Sequence, residues 1–122
     1  MRQIPSLLVI DDNPETLEML ASLMSILGTQ NVKQAPSAER GLEIMETESF
    51  SLIISDYCLE GMSGVEFLEQ IRAKGDLTPV LLLSGAPDKA AVIRASCHPN
   101  VDFFGKPFQI ADLVGAVERL GA

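Results

Sequence analysis

Short apolar runs alternate with longer amphipathic segments along the whole chain, and this alternation constrains the fold more than any other feature. Runs such as Leu7–Ile10 are apolar on both faces, which is typical of central strands in a covered parallel sheet. The runs predict strands at 6–11, 31–35, 52–56, 79–84 and 101–104, and the amphipathic segments predict helices at 14–27, 38–48, 65–74, 88–96 and 109–120. The pattern therefore predicts an α/β fold, a five-stranded parallel sheet with helices on both faces.

The composition limits the classes of protein and partner. The 122 residues, 47% of them hydrophobic, suit a single domain over residues 1–122 with its own core. The net charge of −8 argues against nucleic acid or an anionic membrane as a direct partner. The two cysteines, Cys58 and Cys97, lack the C-x-x-C spacing of redox or metal motifs. The apolar run Leu7–Ile10 is too short to be a signal peptide core or a membrane span. These features predict a soluble, cytoplasmic protein with reduced thiols.

Polar residues follow the ends of four of the predicted strands. Asp11 and Asp12 come after the first strand and Asp56 ends the third. Ser84 ends the fourth strand, and Lys106 follows the fifth. Because the carboxyl ends of parallel strands share one edge of the sheet, we expect these side chains to converge where α/β sheets bind ligands.

This set of side chains suits Mg²⁺-dependent phosphoryl transfer. Carboxylates gathered from two strands repel each other, and a hard divalent cation removes that cost. Asp56 is then the best-placed nucleophile towards phosphorus, while Ser84 and Lys106 supply a hydroxyl and a positive charge. The simpler alternative is that Asp11 and Asp12 cap the first helix, but a cap needs only one of them.

The chain resembles the receiver domain of bacterial two-component response regulators over essentially its whole length. The matching pieces are the acidic pair after "LLVI", the stretch "D-x-x-L-x-G-M-x-G" from Asp56 to Gly64, "LLLSG" and "GKPF". The resemblance implies a flavodoxin-like, doubly wound (βα)5 sandwich with strand order 2-1-3-4-5.

The resemblance also implies a role for each site residue. Asp56 would be the phosphoacceptor. Ser84 would form a hydrogen bond to the phosphoryl group, and Lys106 would form an ion pair with it. The Mg²⁺ ligands would be Asp12 directly, Asp11 through water, Asp56, and the backbone carbonyl at Cys58. Ser84 and Phe103 would form the switch that responds to phosphorylation. Phe103 stands where tyrosine is commoner in the family. The alternative is that Phe103 is an ordinary aromatic residue of the core.

The implied function is transfer of a phosphoryl group to Asp56 from a histidine kinase or a histidine phosphotransfer domain. A downstream protein would then bind the face formed by the helix at 88–96, the strand at 101–104 and the last helix. The protein would not be a conventional enzyme, although it would assist its own phosphorylation and slow dephosphorylation. Cys58 and Ala86 are poor at positioning water, so we expect a long-lived acyl phosphate. Glu60 stands where proline is usual, and it acts separately on the lifetime, because it loosens the loop and adds a negative charge near the site.

Three other readings compete with this one. A phosphatase of the haloacid dehalogenase type would need D-x-D after the first strand, where the chain has Asp11-Asp12-Asn13. A flavodoxin-like cofactor binder would need a phosphate loop there, and the acidic pair would repel the phosphate. A degenerate receiver would bind proteins without being phosphorylated, although all five site positions are filled here.

Overall fold

Five strands and four helices alternate along the described part of the chain. A computed structural model describes residues 5–26, 28–57, 59, 61–84, 89–105 and 111–115. The strands are β1 (Ser6–Ile10), β2 (Asn31–Ala35), β3 (Leu52–Asp56), β4 (Val80–Ser84) and β5 (Val101–Gly105). The helices are α1 (Pro14–Ile26), α2 (Ala38–Thr47), α3 (Gly64–Ala73) and α4 (Lys89–Ser96), and residues 111–115 are helical as well.

The predicted boundaries are accurate wherever they can be compared. β2 and β3 have the predicted bounds, and every other bound within the described residues differs by at most one residue. The predicted helix ends at 27 and 88, and the flanks 109–110 and 116–120 of the last helix, lie outside the described residues. The described helices include none that is long and apolar enough to cross a membrane.

The sheet is parallel throughout, with strand order β2-β1-β3-β4-β5. This confirms the α/β class and the strand order that the resemblance implied. The order reverses between β1 and β3, which is the switch point at which such sheets bind ligands. The register pairs Ile10 with Ser55 and Asp56 with Leu83, so the residues that follow β1 and end β3 are neighbours at one edge.

Each central strand sends alternate side chains into two cores on opposite faces of the sheet, as the period of a strand requires. One core contains Leu8, Ile10, Ile53, Leu82 and residues of α2, α3 and α4. The other contains Leu7, Val9, Ile54, Leu81, residues of α1 and Leu113. Because both faces of the sheet are buried, polar side chains on β1, β3 and β4 can reach a ligand only at the ends of these strands.

Side chains fix where the helices begin. Asn13 Oδ1 accepts the backbone N–H of Glu15 at 2.9 Å at the start of α1. Ser63 and Glu66 form a capping box at the start of α3, in which each side chain bonds the other residue's backbone N–H. These caps fix the turns that connect the strand ends to the helices, and therefore the surroundings of the strand-end residues.

Candidate functional site

Three carboxylates meet at the carboxyl edge of the sheet, and we call Asp11, Asp12 and Asp56 the carboxylate triad. One oxygen from each of them lies within 4.8 Å of the others. The Asp11 backbone N–H donates to the Ala35 carbonyl oxygen at 3.1 Å, so pairing with β2 extends just beyond β1. Asp11 Oδ1 accepts the Asn13 N–H at 2.9 Å, which orients that carboxylate.

The carboxylate triad has the donor set of a site for a hard divalent cation. Asp11 and Asp56 are only 2% and 9% exposed, whereas Asp12 is exposed. Oxygens around one octahedral Mg²⁺ lie about 3–4 Å apart, since each is about 2.1 Å from the ion, and the triad needs little adjustment to match. The exposed side at Asp12 gives room for water ligands, which Mg²⁺ retains. Cys58, the expected carbonyl ligand, lies outside the described residues.

Ser84 lies at the same edge of the sheet. Leu83 pairs with Asp56 across β3 and β4, so Ser84 is one residue further towards the carboxyl end. Ser84 is 3% exposed, and it pairs with Gly105 at the end of β5. Lys106 follows directly in the chain but lies outside the described residues. The structure therefore brings Asp11, Asp12 and Asp56 together, places Ser84 at the same edge, and does not describe the positions of Lys106 and Cys58.

The backbone around Asp56 is held by contacts that the sequence analysis did not identify. The Ser55 hydroxyl donates to the Asp56 carbonyl oxygen at 3.0 Å. The Tyr57 N–H donates to Leu83 O at 2.8 Å, and the Gly64 N–H donates to Tyr57 O at 3.0 Å. Gly64 ends the motif that begins at Asp56, and a glycine at the end of the loop after β3 is the one signal of a close approach that the sequence contains.

An aromatic pair links the neighbour of Asp56 to β5. The ring of Tyr57 lies against that of Phe103, with centroids 6.3 Å apart and planes tilted by 54°. Both residues are partly buried and pack against the core that contains α2, α3 and α4. Phe103 therefore contacts the residue next to Asp56 from two strands away, a contact that no spacing in the sequence indicated.

Comparisons with known proteins identify the family and agree with the fold. A family model described as "Response regulator receiver domain" matches residues 7–118. The "Probable chemotaxis protein CheY" of Rhizobium etli is 28% identical over 115 residues, which cover 93% of this chain and 89% of that protein. "Response regulator protein TodT" of Pseudomonas putida is 31% identical over 109 residues, which cover 89% of this chain but only 48% of TodT.

The solved structures include a close match in shape. The crystal structure of a response regulator receiver protein from Pseudomonas putida superposes with a TM-score of 0.87 at 25% identity, covering 98% of this chain and 99% of that one. The chain thus matches nearly all of a receiver protein and about half the length of TodT.

Proposed function

Because the chain belongs to the family of response regulator receiver domains, we propose that it accepts a phosphoryl group on Asp56 from a phosphohistidine of a partner protein. The main support is the carboxylate triad, whose oxygens lie within 4.8 Å of one another at the switch point of the sheet. A helix cap would account for one acidic residue after β1, but it would not account for Asp56 beside it. The expected donors are a histidine kinase or a histidine phosphotransfer domain.

In the proposed reaction, a carboxylate oxygen of Asp56 attacks the phosphorus atom. An O–P bond forms as the N–P bond to the donor histidine breaks, and the imidazole nitrogen keeps the electron pair of that bond. Asp56 ends a buried strand and is only 9% exposed, and the restricted freedom of its carboxylate would lower the entropic cost of the reaction. Ser84, at the same edge, would donate its hydroxyl to a phosphoryl oxygen, and Lys106 would pair with the charge.

Asp11 and Asp12 would hold Mg²⁺ against Asp56. The bound ion would neutralise charge that develops on the phosphoryl oxygens. Asp11 is buried and oriented by the Asn13 N–H, so it would hold a water ligand of the ion in a fixed place, while the exposed Asp12 would bind the ion directly and leave one side open to water and to the incoming phosphoryl group. This division suits an ion that must bind a protein and a phosphate together.

The added charge would be transmitted to β5 and α4. A phosphoryl group adds about −1.5 to −2 of charge, which would draw Ser84 towards Asp56. Ser84 ends β4, the strand between Asp56 and Phe103, and it lies two residues beyond Leu82, which pairs with Phe103, so its movement would change the space on the face of the sheet that carries Phe103. We propose that this shifts an existing equilibrium in the face formed by α4, β5 and the last helix, where a downstream protein binds.

Intact-mass measurement after incubation with acetyl phosphate and Mg²⁺ tests the proposal. We expect a gain of one phosphoryl group that Asp56→Asn abolishes, and the same gain from a phosphorylated histidine phosphotransfer domain. A folded protein that binds Mg²⁺ yet gains no mass would support the alternative, a degenerate receiver that only binds proteins. Following the mass over time tests the slow dephosphorylation expected from Cys58 and Ala86, which loss within seconds would contradict.

We further propose that the protein acts in the cytoplasm. Cys97 is a free, exposed thiol, as expected of a protein in a reducing compartment. Localisation of a tagged full-length protein by fractionation would test this placement.

A further inference from the structure

Gly64 lies unusually close to the phosphoacceptor strand. It is the buried first residue of α3, and one short loop separates it from Asp56. A Cβ atom built at position 64 would overlap the carbonyl oxygen of Asp56, and it would lie 3.1 Å from the Tyr57 Cα and from Leu82 Cδ2. Two of these three neighbours are backbone atoms, which cannot rotate away.

The carbonyl of Asp56 therefore has two close neighbours. The Ser55 hydroxyl donates to it at 3.0 Å, and Gly64 lies so close to it that an added Cβ would overlap the oxygen. The Gly64 N–H donates to Tyr57 O at 3.0 Å, so the start of α3 is bonded to the end of β3 as well as packed on it. The capping box of Ser63 and Glu66 fixes the first turn of α3 and so keeps Gly64 in place.

We propose that Gly64 is a positioning residue for the carboxylate triad: its missing side chain lets α3 dock onto the Asp56 carbonyl and so sets the Asp56 carboxylate within reach of Asp11 and Asp12. The backbone of Asp56 and its carboxylate belong to one residue, so a displaced carbonyl carries the carboxylate with it. A methyl group at position 64 must push α3 and the end of β3 apart. The inference rests on the proposed Mg²⁺ site, and it assigns the geometry of that site to a residue that touches neither metal nor phosphate.

Mg²⁺ titration of Gly64→Ala by isothermal calorimetry tests this proposal. We expect the Kd for Mg²⁺ to rise about tenfold, the loss typical when a residue that orients a metal ligand is changed. Gly75→Ala is the matched control, because Gly75 lies just beyond the other end of α3 with φ 84°, and no atom of the described residues lies within 4 Å of a Cβ built there. That control loses stability through backbone strain alone, and its Kd should equal that of the wild type.

The outcomes separate this inference from the proposed function. Equal Mg²⁺ affinity of Gly64→Ala and the wild type would overturn the positioning role while leaving the proposed function intact. A wild type that binds no Mg²⁺ would overturn both. If Gly64→Ala does not fold, Ser55→Ala decides, because it removes another restraint on the same Asp56 carbonyl without adding volume. A Kd for Mg²⁺ raised about tenfold then supports the proposal, and an unchanged Kd overturns it.

Discussion

Asp12 is the member of the carboxylate triad that solvent reaches, so its charge can be removed with little disturbance of packing. For Asp12→Asn we expect two opposite effects. The Kd for Mg²⁺ should rise about tenfold, because a charged oxygen ligand is lost. In the presence of a chelator, however, the Tm should rise by about 3 °C, because one source of repulsion among the triad is gone.

Calorimetric titration and thermal unfolding in EDTA measure the two effects of Asp12→Asn. Glu18→Gln is the matched control, since it removes one negative charge from an exposed position on α1 outside the triad. If both substitutions change the Tm equally, net charge explains the gain, and the repulsion within the triad does not.

Tyr57 gives the protein an internal optical probe of the site. The chain has one tyrosine and no tryptophan, and that tyrosine follows Asp56 directly and contacts the ring of Phe103. Phosphorylation should change its emission measurably, because charge would be added one residue away and the proposed switch would move the Phe103 ring.

Fluorescence during acetyl phosphate treatment measures the response of Tyr57. In Asp56→Asn the signal should stay constant. In Phe103→Leu, which keeps an apolar side chain but removes the ring, we expect a smaller change at the same extent of phosphorylation measured by mass. An undiminished change in Phe103→Leu would show that Tyr57 senses charge alone.

At the scale of elements, one arginine ties the end of α3 to the turn before β5. Arg72 donates to Asp76 O at 2.8 Å, to Pro99 O at 2.9 and 3.1 Å, and to Asn100 O at 3.2 Å. Asn100 has a positive φ of 56°, and its side chain donates to Leu77 O at 3.0 Å. Burial lowers the pKa of Arg72, which the nearby Asp76 carboxylate opposes, and the guanidinium stays charged at every pH at which proteins fold.

Arg72→Met should therefore lower the free energy of unfolding by about 1–2 kcal/mol, because three carbonyls lose a charged donor while the aliphatic contacts remain. Arg72→Lys should recover only part of the loss, since an ammonium cannot reproduce the fork that reaches all three. Arg40→Met is the control, because among the described residues the Arg40 guanidinium forms only an exposed pair with Glu43 at 3.8 Å, and the change in free energy of unfolding should stay within about 0.5 kcal/mol. Urea denaturation monitored by circular dichroism measures the stability of all three variants. Equal losses of free energy of unfolding in Arg72→Met and Arg40→Met would show that Arg72 does not link α3 to the turn before β5.

The element pattern was predictable because each signal is local. β2 is followed directly by Pro36 and Ser37, and the apolar run of β3 ends at the polar Ser55 and Asp56, and the bounds of both strands were correct to the residue. The meeting of Asp11, Asp12 and Asp56 was also predictable, because parallel strands force their carboxyl ends to one edge. No contact between individual atoms was needed for either prediction.

The remaining contacts depend on loop paths and on distances across the sheet. The overlap between a Cβ at position 64 and the Asp56 carbonyl arises from the path of one loop, which spacing alone does not determine. The contact of Tyr57 with Phe103 needs the strand order and the tilt of both rings, and the Arg72 donors reach a turn 27 residues away. The proposed roles of Lys106 and Cys58 still rest on the resemblance, since both lie outside the described residues.

At the scale of the whole molecule, the charge is unbalanced. Seventeen acidic residues face nine basic ones, and the carboxylate triad concentrates three of the acidic groups at one edge of the sheet. Self-repulsion of this kind lowers the stability of a compact state, and salt screens it between exposed groups. A divalent ion in a site does more than screen, because it binds the folded protein and contributes free energy by mass action.

Mg²⁺ should consequently raise the Tm beyond the effect of NaCl at the same ionic strength. At about ten times its Kd, Mg²⁺ adds about 1.4 kcal/mol, because a ligand that binds only the folded state contributes RT ln(1 + [L]/Kd). For a domain of this size that is a rise of about 4 °C in Tm. Screening by NaCl acts on charges over the whole surface, so Asp12→Asn should keep the NaCl effect and lose most of the Mg²⁺ effect. Differential scanning calorimetry of both proteins in the two salts measures this, and equal gains from Mg²⁺ and NaCl in the wild type would show that the acidic edge is only screened and holds no ion.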